Sequence, residues 1–275
     1  MHTITTLGLA FAAWAGYSAL ETVVSPETRW HLATPAIQGQ DWRWSGAIAA
    51  GKTIEIKGVN GDIRAVAGSG GEVVVVAHKT ARDDDPAEVK MEVVTHADGV
   101  TICAVYPSNG GHANECAPGN KGHMNTKNND VTVDFTVEVP AGVKLAGRTV
   151  NGAISVERLG ADADVSTVNG SLNVVAAGVV RATTVNGSVN VSMGRADWTG
   201  TVDLTTVNGS IRATLPRDFS AEVKGSTVNG GIESEFPLTV QGKFGPRSIT
   251  GTIGKGGRRL ELNTVNGGIT LAMAK

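Results

Sequence analysis

Few residues in this chain have the types and spacing that chemistry requires. Cys103 and Cys116 bracket part of a Gly/Asn/His-rich segment, PSNGGHANECAPGNKGHMNTKNND from Pro107 to Asp130, which also carries His112 and His123. Two thiols and two imidazoles suit a disulfide, a pair of free thiols or a metal site. The spacing matches no known zinc finger, whereas a disulfide closing so short a loop contributes about 3 kcal/mol by loop entropy. A second candidate, GAIAAGKT from Gly46 to Thr53, fits the phosphate-binding loop pattern letter for letter. That pattern binds phosphate where a strand precedes it and a helix N-terminus follows, so that amides and dipole converge. Here DWRWS precedes and TIEIK follows with strand alternation, so no nucleotide is expected.

Carboxylates are the remaining source. Asp83, Asp84 and Asp85 stand together before Pro86, which reads as a solvated turn more readily than as a calcium site. Glycan cleavage needs acids clustered a few ångströms apart, and Glu157, Glu233 and Glu235 fall on outward positions without forming a run on adjacent units. His78 and His96 end alternating runs and read as strand residues; no Gly-x-Ser-x-Gly elbow occurs. With 24 basic against 26 acidic residues, nothing draws the chain to nucleic acid. The reading is a chain with no catalytic residue, cofactor or metal, in which the loop from Pro107 to Asp130, with His112 and His123 exposed on it, is the contact surface.

The elements that would position these residues are strands. Thirty-six glycines, 4% aromatics and 41% hydrophobic residues describe an all-β chain of short strands and tight turns. Val-Asn-Gly occurs at Val59, Val150, Val168, Val185, Val207, Val228 and Val265, and Ile249-Thr250-Gly251 stands where an eighth copy would fall. From Asn151 the successive Asn positions are 151, 169, 186, 208 and 229, then Thr250 and Asn266, giving steps of 18, 17, 22, 21, 21 and 16. A period near 20 is that of stacked units, none able to bury its apolar face alone. After each Gly come Ile63, Ile154, Leu172, Val189, Ile211, Ile232 and Ile269, an inward column without a polar exception.

Two architectures share this period. In an antiparallel meander each Asn-Gly is a two-residue hairpin turn and its Val faces solvent. In a parallel β-solenoid the triplets stack as corners and the Val points inward, after a change of phase across Thr205-Thr206. The meander would expose seven valines, which are harder to excuse than seven corners, so the solenoid is favoured. The repeat residues Asn60, Asn151, Asn169, Asn186, Asn208, Asn229 and Asn266, with Gly61, Gly152, Gly170, Gly187, Gly209, Gly230 and Gly267, are then structural. Gly permits close approach or an unusual backbone, and Asn bonds the backbone or the Asn of the next rung. The Asn-Gly-Ser glycosylation patterns at Asn169, Asn186 and Asn208 follow from the same turn.

Three regions result. Residues 1–25 hold an apolar run, Leu7 to Leu20, suited to an export signal with Gly16 and Ser18 flanking a cleavage point, although no Lys or Arg precedes Arg29. Residues 40–148 form an irregular N-terminal β region that caps the coil, with strands near Glu72 to His78, Val89 to His96, Val100 to Tyr106 and Val131 to Val139, and with Trp42 and Trp44 as capping residues. Residues 149–275 form the regular repeat.

The segments DWRWSGAIAAGKTIEIKGVNGDI, ICAVYP, VDFTVEVPAGV and RTVNGAISV, followed by serial TVNGS units, resemble the putative-adhesin, toast-rack-like family of bacterial cell-envelope proteins over residues 40 to 275. The resemblance implies a right-handed β-helix-like fold and export to periplasm, cell surface or medium. It implies a role in adhesion, envelope scaffolding or stress sensing, and it transfers no catalytic motif. The expected function is a non-catalytic adhesin-like or scaffolding module with an envelope ligand, protein or glycan. A ligand-binding sensor is the alternative and a polysaccharide lyase or hydrolase the third.

Overall fold

Alternation of aliphatic and polar residues builds the fold twice over, once on each of two sheets whose inward rows meet. In the computed structural model, residues 38–275 are described apart from 109, 111, 127, 196, 199 and 241–246. The expected export signal lies outside the described residues. Among these, 21 strands and one short 3-10 turn, Pro86–Glu88, form a ten-stranded and an eleven-stranded sheet.

The repeating unit is a strand of the second sheet, a Val-Asn-Gly corner and a strand of the first. Thr201–Thr205 passes through its corner to Ile211–Leu215, and Val180–Thr183 likewise to Val189–Met193. Successive units pair in parallel, with Val189 opposite Ile211 and Ala182 opposite Leu204. The chain is therefore a parallel β-solenoid, not a meander. Ile154, Leu172, Val189, Ile211 and Ile269 are each no more than 1% exposed and join Ile54, Leu145, Val165 and Leu204 in one continuous core.

The units do not stack in chain order. Arg259–Asn263 and Ile269–Met273, the last rung, lie between the rung of Thr201–Thr205 and that of Ala221–Ser226. At the other end Thr53–Lys57 and Ile63–Ala67 insert between the rung of Lys144–Arg148 and Ile154–Leu159 and an outer rung made by Gly99–Val105 and Thr132–Val139. Antiparallel strands flank the stack: Gln38–Gly46, Val73–Ala81 and Lys90–His96 cap both sheets at one end, and Leu238–Val240 and Ser248–Ile253 cap the second sheet at the other, where Ile232–Ser234 is the edge of the first among the described residues. Antiparallel partners give the capped parallel strands hydrogen-bonding neighbours, as end caps of repeat arrays do. Ile249-Thr250-Gly251 is thus not an eighth corner; it lies inside Ser248–Ile253, with Thr250 opposite Lys224. Trp42 and Trp44 sit in the outermost strand of the first sheet and pack on the core, while Trp198, Phe219 and Phe236 form an aromatic cluster near the far end.

Candidate functional site

Six of the seven corners are a four-residue device, Thr-Val-Asn-Gly, with Gly58 in the threonine's place at the first, and the threonine carries a role the sequence reading gave to valine. Val150, Val168, Val185, Val207 and Val265 are 37–39% exposed and Val228 is 54% exposed. Alternation runs unbroken through Leu204, Thr205, Thr206 and Val207, so Thr206 points inward and Val207 outward. The reason is a half-buried carbonyl of the neighbouring rung that needs a donor. Thr206 Oγ1 donates to Gly187 O at 2.8 Å, Thr184 Oγ1 to Gly170 O at 2.9 Å and Thr264 Oγ1 to Gly209 O at 2.8 Å. A valine there would leave each carbonyl unpaired, a cost larger than that of exposing an isopropyl group.

Glycine is required by crowding. A Cβ on Gly152, Gly170, Gly187, Gly209, Gly230 or Gly267 would overlap the carbonyl oxygen of the preceding stacked glycine, and only Gly61, at φ 122°, also needs the left-handed region. The asparagines form an external ladder in stack order. Asn151 Nδ2 donates to Asn60 Oδ1 at 2.9 Å, followed by Asn169 to Asn151, Asn186 to Asn169, Asn208 to Asn186, Asn266 to Asn208 and Asn229 to Asn266, at 2.7–2.8 Å. Their amides are spent on one another.

Cys103 and Cys116 are joined as a disulfide. It ties the loop after Val105, which stands where the outer rung would otherwise have a Val-Asn-Gly corner, onto the second sheet. Under the loop lies a polar cluster. Buried Glu55 accepts from Thr101 Oγ1 and Gly119 N, both at 2.9 Å, and from Arg148 Nε at 3.2 Å. Lys57 Nζ donates to the carbonyls of Ala117, Gly119 and Lys121, and burial pushes its pKa down despite Glu55 beside it. Tyr106 donates its hydroxyl to Val131 O at 2.9 Å, and burial pushes the phenol up to about 12. His112 and His123 are exposed; the backbone of His123 pairs with Glu115.

Most of the other sequence candidates have partners of their own, the exception being Glu233, which is exposed opposite Thr270. Asp130 accepts from the amides of Arg82, Asp83 and Asp84, with the Asp84 bond foremost in holding its carboxyl below the usual range, and Asp85 caps the short 3-10 turn. Gly46 packs against Trp44, and a strand, not a helix, follows Lys52. Glu157 pairs with Arg64 at 2.9 Å, and Glu235 accepts from Met273 N at 2.8 Å. His78 pairs with Asp41, and His96 lies 3.1 Å from Thr101 Oγ1.

The Toastrack domain DUF4097 matches residues 51–272, which includes every Val-Asn-Gly corner. The chain belongs to the Toastrack family. Among solved structures, a putative cell adhesion protein from Clostridium sporogenes aligns over 86% of this chain and 100% of its own, at 12% identity and a TM-score of 0.43. A putative adhesin from Bacteroides fragilis aligns over 86% and 98%, at 12% identity and a TM-score of 0.37. No curated protein matches the chain.

Proposed function

We propose that this Toastrack chain is a non-catalytic module of the bacterial envelope that adheres to or scaffolds an envelope polymer after export. The observation that carries the reading is the corner. Its threonine, asparagine and glycine are each committed to holding the neighbouring rung, so the repeated sequence specifies a rigid display surface. Acid-base work calls for polar groups converging on one patch with perturbed ionisation. Here Glu157 and Glu235 are engaged by Arg64 and by a backbone amide, and Glu233 stands exposed on the outer face opposite Thr270. The disulfide supports a location outside the reducing cytoplasm, and no helix among the described residues is long and apolar enough to cross a membrane.

The test is incubation of purified protein with peptidoglycan and acidic polysaccharides. Co-sedimentation without new reducing ends or unsaturated products is expected. Turnover that disappears on substituting Glu233 or Glu235 would replace this reading with the enzymatic one.

A further inference from the structure

The outward face of the first sheet carries a feature of its own. A shallow cleft of about 300 Å³ crosses four consecutive rungs there. Ser155, Asn173, Asn190 and Arg212 stand opposite one another in one column, and Val175 and Ser192 in the next. Asn190 Nδ2 donates to Asn173 Oδ1 at 2.9 Å, a bond in which the Asn173 amide nitrogen and the Asn190 carbonyl oxygen take no part. Val175 is 46% exposed in the middle of this polar surface.

The cleft ends at a backbone irregularity. Glu157 and Arg158 together oppose Val175 alone, a β-bulge, and Arg158 takes φ 52°, in the left-handed region that few non-glycine residues occupy. At that end Glu157 is neutralised by Arg64. At the other end Arg212 is exposed and, among the described residues, no carboxylate pairs with it. The cleft therefore presents one uncompensated positive charge, short amides and hydroxyls, and an apolar contact.

Eleven residues line it, about half of the roughly 20–30 per side that a stable protein interface uses, so a narrow polymer fits better than a protein partner. Rungs repeat every ~4.8 Å, close to the advance per sugar of an extended β-1,4-linked chain. We propose that the cleft is a subsite for a linear, acidic β-1,4-linked glycan. Arg212 takes a uronate carboxylate, Asn173 and Asn190 bond hydroxyls of neighbouring sugars, and Val175 meets a C–H face. This rests on the envelope reading above and names its ligand class.

The full chain would be titrated calorimetrically with a β-1,4-linked mannuronate hexamer and with the neutral cellohexaose. Saturable binding of the uronate is expected, weaker by roughly tenfold in Arg212→Ser, weakened in Asn190→Leu, and unchanged in Lys224→Ser on the other sheet, with equal melting temperatures throughout. No saturable uronate binding, equal affinity for the neutral hexamer, or an Arg212→Ser variant that binds as wild type would each overturn the assignment. Co-sedimentation with envelope that survives in Arg212→Ser/Asn190→Leu, with no hexamer binding by any form, would remove the cleft and leave the envelope reading. Hexamer binding without co-sedimentation would support the cleft and remove that reading.

Discussion

Thr206 is 1% exposed and hydrogen-bonded to a glycine carbonyl, whereas Val207 beside it is 37% exposed. Replacing Thr206 by Val keeps the shape and deletes the donor, so the half-buried Gly187 carbonyl loses its partner. The expected loss is about 1–3 kcal/mol in urea unfolding. Val207→Ser should change stability by less than about 0.5 kcal/mol. Equal losses would mean that the two side chains share the interior. A second test at this scale uses Tyr106, whose phenol is raised from 10.0 to about 12 by burial. A raised phenol binds its proton more tightly in the folded state. Its stabilisation is therefore complete below the unfolded value and is lost as pH rises from 10 toward 12, at about 1.4 kcal/mol per pH unit. Tyr106→Phe should be free of this loss, so the stability difference between wild type and variant should narrow above pH 10 in unfolding titrations.

A corner works because a glycine lies directly against the carbonyl of the glycine in the neighbouring rung. At Gly209 an added Cβ would overlap Gly187 O, which the stacked backbone cannot easily move away. Gly209→Ala should cost about 3 kcal/mol or more, while Arg212→Ser, on the outer face, should leave the unfolding midpoint almost unchanged. The loop that replaces a corner in the outer rung depends on its disulfide instead. Cys103→Ser/Cys116→Ser should lose about 3 kcal/mol for a closure of this length, and the native protein should take up no alkylating reagent until reduced. Much at this scale was legible. The columns after Gly alternate strictly, and the Asn positions mark every corner of the ladder. The valines misled because a tally of apolar residues assumes that they are buried, and here a carbonyl placed by the neighbouring rung decides which side chain turns in. Thr recurs before Val-Asn-Gly at Thr149, Thr167, Thr184, Thr206, Thr227 and Thr264, which is the signal that could have shown it. The cleft over Asn173, Asn190 and Arg212 was not legible, because its columns appear only once the stacking order is known.

At the scale of the molecule, the coil is interleaved at both ends, and sequence periodicity carries no information about that. Successive Asn steps look alike whether a rung is added outside its predecessor or inserted further in. Only pairing reveals that Asn266 lies between Asn208 and Asn229. The measurement that tests the account most directly is therefore cross-linking along the exposed valine column. Val265→Cys should form a disulfide with Val207→Cys and, in a separate variant, with Val228→Cys, because neighbouring strands lie ~4.8 Å apart. Val207→Cys with Val228→Cys should not, since two rungs separate their Cα atoms by more than the ~7 Å a disulfide spans. A bond between positions 207 and 228, with none from 265 to either, would contradict the interleaved parallel solenoid.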